Sequence, residues 1–463
     1  MGMHYDVVII GAGMSGLAAG IRLAYFGKRV CIVEKHYACG GLNSYYTLEG
    51  RDFDVGLHAV TNYVPPDVRN APLPRLLRQL RLSREDFDLH PQQFSEVRFP
   101  GRCLRFTNDI NVLVQAVAEQ FPQDADNFHR LLEVINQYED TRSDHPYRST
   151  RQILRESLHD PLLIEMLLCP IMYYCSAEEH DMDFTQFVTV FKSIFCEGLA
   201  RPRGGIRTII NALVEKYRSC GGELKINCGV RCINIAGERV TSMTLESDET
   251  LTAEVVFSSA GYFETMQLCS DVKGDPPPDK VGRVSFVESI VVLDELPANL
   301  GHEATIVFFN DTETFTYAVP TDLVDLRSGV ICCPGNYEQH QNMPEGLFRL
   351  TWLANYDHWA SLDEEGYAAA KDSCREKVAQ RGDQYIAGFR DRIVYTDMFT
   401  PRTIRRFTGH VNGAVYGAPE KLRDGRTRFD NLFICGTDQG YPGIIGAMLS
   451  GVTMANWHLL AKA

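Results

Sequence analysis

The chain has 463 residues, 44% apolar and 23% charged, enough to bury a core without disulfides or a structural metal. Lys and Arg number 46 against 60 Asp and Glu, a formal net charge of −14, which excludes a general nucleic-acid binder because phosphate contact needs a basic footprint. The 14 cysteines form no CxxC, no HExxH occurs, the start MGMHYDVVIIGAG has no basic n-region, and no apolar run reaches 18 residues; a cytoplasmic chain with reduced thiols, no metal, no signal peptide and no spanning helix is expected.

Residues 5–10 (YDVVII) form a short β-branched run of the kind a buried parallel strand shows. Gly11-Ala-Gly13-Met-Ser-Gly16 follows at once, then an Ala/Leu-rich helical stretch over 17–26, then a second strand over 29–33 closing with Glu34. This is a βαβ unit with GxGxxG at its first turn. Gly11 permits the turn, Gly13 lets backbone approach a pyrophosphate, Gly16 lets helix and strand pack closely, and the helix N-terminus offers free N–H groups. Glu34 lies 23 residues after Gly11, where a carboxylate accepts hydrogen bonds from a ribose, so FAD or NAD is expected rather than NADP.

Gly40-Gly41 comes next, then Leu42-Asn-Ser and Arg51-Asp-Phe-Asp54-Val-Gly56-Leu-His58. Residues 72–83 (PLPRLLRQLRLS) set Leu73, Leu76, Leu77 and Leu80 at helical spacing, with Arg75, Arg78 and Arg81 off that stripe. Such a helix lies on an anionic membrane or packs its leucines on a core. Residues 166–175 (MLLCPIMYYC) are apolar but too short to span; they line a hydrophobic tunnel, dip into a membrane, or are ordinary core. Arg201-Pro-Arg203-Gly204-Gly205 precedes an amphipathic helix over 206–217 and strands over 223–227 and 229–235, and a further strand runs through 255–261. Pro276-Pro277-Pro278 marks a boundary. Near the C-terminus, residues 431–438 (NLFICGTD) read as strand, Gly turn and carboxylate, and Tyr441-Pro-Gly443-Ile-Ile-Gly446 opens a helix reaching about 460.

In this order the motifs resemble the FAD-dependent amine oxidase and phytoene desaturase superfamily over nearly the whole chain. The resemblance implies an α/β fold: a Rossmann-type FAD-binding domain in three discontinuous segments, 1–75, 200–270 and 400–463, with an interleaved α+β substrate domain over 76–199 and 271–399. It implies a cofactor set of Gly11, Gly13, Ser15, Gly16, Glu34, Lys35, Gly41, Leu42, Val230, Gly436, Asp438, Gly443, Ile444 and Ile445. Val230 would meet the adenine end, Asp438 the ribityl–phosphate region, and the helix opening at Gly443 the flavin ring.

No second GxGxxG occurs, so a dedicated NAD(P)H domain is not expected. His58 and Tyr441 are the catalytic candidates, the first because FDxGxH sits near the flavin in the resembling families, the second because it precedes the ring-facing helix. The stretch Gly436-Thr-Asp-Gln-Gly-Tyr-Pro-Gly443 looks more like the carotenoid desaturase, carotenoid isomerase and retinol saturase branch than the monoamine oxidases. That branch implies an apolar isoprenoid or polyene substrate, hydride transfer to flavin N5, and a quinone or oxygen as electron acceptor. A saturase or isomerase working from reduced flavin, an amine oxidase, and a non-catalytic FAD protein are the alternatives. Peripheral membrane contact through the arginine-rich helix is a further expectation.

Overall fold

The computed structural model describes residues 3–139, 146–338 and 343–461. Among them are two seven-stranded sheets. The first runs Val230–Ala236, Arg239–Leu245, Thr250–Ser258, Met3–Ile10, Val30–Val33, Glu223–Lys225, with Leu432–Ile434 also pairing Thr250–Ser258. Met3–Ile10 is parallel to both neighbours, Val7 standing opposite Val30 on one side and Val255 on the other. Val7 and Ile9 face a helical layer, and Val8 and Ile10 face the opposite side. Burial on both faces is why this segment carries no polar alternation.

The helical layer comprises Met14–Tyr25, Ile206–Ser219 and Gly443–Ala455. Helix Pro72–Leu80 docks on it, with Leu73, Leu76, Leu77 and Leu80 all buried. The leucine stripe is therefore core and is not free to enter a bilayer; Arg75 and Arg78 stay exposed on the other face. The helix stops at Leu80, earlier than the sequence pattern suggests, because Arg81 turns into the left-handed region at φ 57°. Residues Gly443–Leu460 form a continuous helical stretch of 18 residues, long and apolar enough to cross a membrane. The sequence has no unbroken apolar run of 18 here, since Gly, Ser, Thr, Asn456 and His458 interrupt it, but its mean hydropathy reaches that of a spanning helix, which the expectation from unbroken runs missed. Its buried side, including Ile445, Met448 and Val452, packs within the helical layer.

The second sheet runs Ile393–Phe399, Ser285–Leu293, Gly346–Ala354, Ser328–Cys332, Ile306–Asn310, Ser95–Phe99, Arg102–Phe106. It is antiparallel except where Ile306–Asn310 meets Ser95–Phe99. A block of helices between Ile110 and Phe191 covers one face around an aromatic core, and Glu364–Asp383 lies against the other. Helix Pro161–Cys175 belongs to the covering block and is buried along nearly its whole length. It has no face left for lipid and instead carries Tyr173 and Tyr174 to a cavity wall. Exposed backbone around Pro276 links the two sheets, between Tyr262–Gln267 and Ser285–Leu293.

Candidate active site

A cavity of about 490 Å³ draws its wall from both sheets. One end is made mostly of backbone. A methyl group on Gly11, whose φ is +95°, would sit 2.4 Å from Ser259 Oγ, and one on Gly16 would sit 2.1 Å from the Gly11 carbonyl oxygen. No side chain fits at either, and the loop closes tightly on the helix start. Gly13 differs: a methyl there would meet nothing within 4 Å, so its backbone opens onto the cavity.

Helix Met14–Tyr25 starts from Gly13 and helix Gly443–Ala455 from Pro442, and neither start has a side chain capping its amides. Both starts line the cavity. Each leaves N–H groups and a partial positive charge facing the same space. Glu34 lines it as well; Oε2 accepts from the Ala12 N–H at 2.7 Å and Oε1 from the His36 N–H at 2.8 Å. A carboxylate has about four acceptor sites, so capacity is left for ribose hydroxyls. This end fits a dinucleotide, with Gly13, Met14 and Ser15 at a pyrophosphate and the Gly443 start at a ring that becomes anionic on reduction.

Gly11, Gly13, Ser15, Glu34, Lys35, Gly41, Leu42, Val230, Gly436, Gly443, Ile444 and His58 all line the cavity. Four expected residues do not. Gly16 acts by packing, as above. Ile445 is turned into the helical core, one position round from Ile444. Asp438 is 3% exposed and faces protein: Oδ1 accepts from the Ala418 N–H at 2.8 Å and Oδ2 from the Tyr262 N–H at 2.6 Å. It ties two loops together, while Gly436 and Thr437 hold the wall. Tyr441 is also off the wall, its backbone pressed against Gly446, where a methyl would lie 3.1 Å from the Tyr441 carbonyl carbon. The tyrosines that stand on the wall are Tyr173, Tyr174 and Tyr416.

A buried pair not foreseen from sequence also lines the dinucleotide end: His410 Nδ1 lies 3.4 Å from Glu264 Oε1, which accepts the Val411 N–H at 2.8 Å. Burial disfavours the charged imidazole, but Glu264 outweighs it and raises His410. Burial likewise disfavours the carboxylate, and His410 with the Val411 amide holds Glu264 below its usual range.

The other end is made of side chains: Tyr173, Tyr174, Phe286, Phe308, Val330, Val415 and Tyr416. His58 stands among them with Glu288 and Thr351. Its Nε2 lies 3.2 Å from Glu288 Oε2 and 3.1 Å from Thr351 Oγ1, and the Thr351 hydroxyl donates to the same carboxylate oxygen at 3.3 Å. Arg349, 1% exposed, donates from Nε to Glu288 Oε1 at 2.7 Å and from Nη1 to the Leu57 carbonyl at 2.6 Å. Burial lowers His58, more than Glu288 raises it, so the imidazole is neutral near pH 7. Burial alone would raise Glu288, but the Arg349 guanidinium, helped by His58, outweighs it and holds the carboxyl at about 2.

Glu288 and Arg349 escaped the motif reading because no motif contains them. The signal available was a lone charge in each of two otherwise apolar strands, SFVESIVVL and GLFRLTWLA, of opposite sign. Buried charges are nearly always paired, which makes such a coincidence informative.

Similarity to known proteins agrees with this geometry. The family model for flavin containing amine oxidoreductase matches residues 14–456. The chain is 23% identical over 501 residues to the chloroplastic prolycopene isomerase of Arabidopsis thaliana, covering 98% of this chain and 82% of that protein. It is 22% identical over 525 residues to all-trans-retinol 13,14-reductase of Danio rerio, covering 97% and 85%. Among solved structures it is similar to an oxidoreductase from Methanosarcina mazei, at TM-score 0.68 and 17% identity over 97% of this chain and 99% of that one. A putrescine oxidase variant gives TM-score 0.66 and 16% identity over 100% of both chains. The protein is an FAD-dependent oxidoreductase, its dinucleotide end fits that cofactor, and the chain belongs to the flavin containing amine oxidoreductase family.

Proposed function

We propose that the protein acts on carbon–carbon bonds of an apolar isoprenoid or polyene. The observation that carries this reading is the aromatic and aliphatic wall at the far end of the cavity, from Tyr173 to Tyr416. Its polar groups sum to no net charge, because His58 is neutral and Glu288 is matched by Arg349. An alkylammonium would find no unpaired carboxylate there, whereas a hydrocarbon finds contact area worth about 25 cal/mol per Å². The prolycopene isomerase and retinol reductase similarities support the same substrate class.

A substrate of this class dissolves in lipid. We assign the exposed arginine face of Pro72–Leu80 to peripheral contact with an anionic bilayer, on charge opposite to the −14 of the whole chain. A quinone or oxygen is the acceptor expected to complete turnover.

Anaerobic mixing of the flavin-loaded protein with polyenes and with amines tests the reading, followed at the flavin absorption band with product analysis. Bleaching by a partly saturated polyene is expected for desaturation. Reoxidation of dithionite-reduced flavin by a polyene is expected if electrons run the other way. Bleaching by amines alone would overturn the proposal.

A further inference from the structure

We propose that His58 Nδ1 is the proton-transfer atom of this site and that Glu288, held by Arg349, is the positioning residue that fixes it; the role rests on the carbon–carbon reading above. The geometry assigns the tautomer. Glu288 can only accept at Oε2, since Arg349 keeps it a carboxylate through Oε1. His58 must then donate from Nε2, and the Thr351 hydroxyl, which donates to the same oxygen, accepts in the fork. A neutral imidazole with its proton on Nε2 has a lone pair on Nδ1. Nδ1 has no protein partner among the described residues and is not a buried orphan atom, and His58 lines the cavity.

The backbone around His58 is fixed just as firmly. The Leu57 carbonyl accepts from Arg349 and from Arg201 Nη1 at 2.7 Å. The His58 carbonyl accepts from Arg201 Nη1 at 3.2 Å, from the Tyr337 hydroxyl at 2.9 Å, and from the Cys332 thiol at 3.6 Å. The titratable and charged groups facing His58 are thus Glu288, Arg349, Arg201, Cys332 and Tyr337, which join Thr351 and come from several different segments of the chain. Such rigidity costs nothing to a neutral hydrocarbon pocket but is what a base aimed at one carbon needs.

In the forward direction a C–H bond next to the reacting carbon breaks, its proton bonds to Nδ1, and its electron pair becomes the new C=C. Bound FAD supplies the acceptor for the hydride that leaves the neighbouring carbon, so two electrons and two hydrogens leave the substrate in all. In the reverse direction the same Nδ1–H returns the proton. Glu288 never takes a proton; it keeps Nε2–H in place and stabilises the imidazolium that forms.

The test uses flavin-loaded protein labelled with ¹⁵N-histidine, the His58 signal being assigned as the one absent from His58→Gln. The wild type is expected to show the neutral tautomer protonated at Nε2, and Glu288→Gln a mixture of tautomers, with Glu288→Asp closer to wild type. Flavin reduction by a responding polyene should fall at least about 100-fold in His58→Gln. In the wild type the rate should drop as pH falls through a midpoint below 6.5, where His58 charges. Glu288 raises His58, so Glu288→Gln should move that midpoint lower; a merely structural Glu288 would lower the rate and leave the midpoint fixed. A wild-type His58 protonated at Nδ1, or unchanged reduction in His58→Gln, overturns the assignment. The tautomer readout needs no substrate. A protein with the expected tautomer that responds to no polyene upholds the tautomer and the positioning role of Glu288, and overturns the proton-transfer role together with the polyene reading on which it rests.

Discussion

The two ends of the cavity are built by different means. The dinucleotide end is made by backbone: glycines with no room for a methyl, a glycine left open, and two helices starting without caps. The far end is made by side chains projected from distant strands and from Pro161–Cys175, around one charge-balanced cluster. Backbone recognition constrains sequence at short, fixed spacings. Side-chain recognition only requires that residues far apart in the chain meet in space.

The largest effect should come from breaking the backbone end. Gly16→Val would force atoms into the Gly11 carbonyl, and the protein should purify without flavin absorption. Gly13→Ala is the sharper variant. Its methyl has free space, so thermal stability of the flavin-free protein should be unchanged while flavin affinity drops.

At the other end, Arg349→Met leaves Glu288 buried without its partner and should cost about 3–5 kcal/mol in chemical denaturation. The double variant Glu288→Leu with Arg349→Met should recover most of that stability but not activity. A fully stable single variant would show that the pair is not buried as described.

A smaller effect is expected from Phe286→Ala. It removes about 1.5–3 kcal/mol of apolar contact, so polyene binding should weaken about 10- to 100-fold with the flavin spectrum unchanged. Last comes the triple change of Arg75, Arg78 and Arg81 to Glu. Those side chains leave the leucine core untouched but lose the Arg78 bond to the Arg69 carbonyl and the Arg81 contact with the Tyr25 ring, so stability should fall by about 1–2 kcal/mol. Vesicle flotation on anionic lipid should also fall, and equal flotation would discard the helix as a docking face.

The same contrast explains what could be read from the sequence. That Gly11, Gly13, Ser15, Glu34, Gly41, Gly436, Gly443 and Ile444 line one cavity was legible because they sit in short motifs at the strand–helix turns that wall it. Ile445 and Asp438 were misplaced by local geometry that no motif encodes: a helix turns Ile445 inward one residue after Ile444, and two loop amides turn Asp438 toward protein. The leucine stripe of Pro72–Leu80 was legible as amphipathic, but not which surface it meets, since core and membrane reward the same spacing. Glu288, Arg349 and Thr351 were hidden because sheet register alone brings them together: Glu288 pairs with Thr351, and Arg349 with Ile290. His58 was found through its motif, yet its chemical setting depends wholly on those strands.

The most direct test of a two-ended site is an experimental structure of the protein loaded with FAD and soaked with a polyene under anaerobic conditions. The pyrophosphate should lie on the Gly13–Ser15 amides, the flavin at the Gly443 helix start, and the polyene among Tyr174, Phe286 and Tyr416 within reach of His58 Nδ1. A flavin seated away from Gly443, or a polyene bound outside the aromatic end, would contradict this division of the cavity.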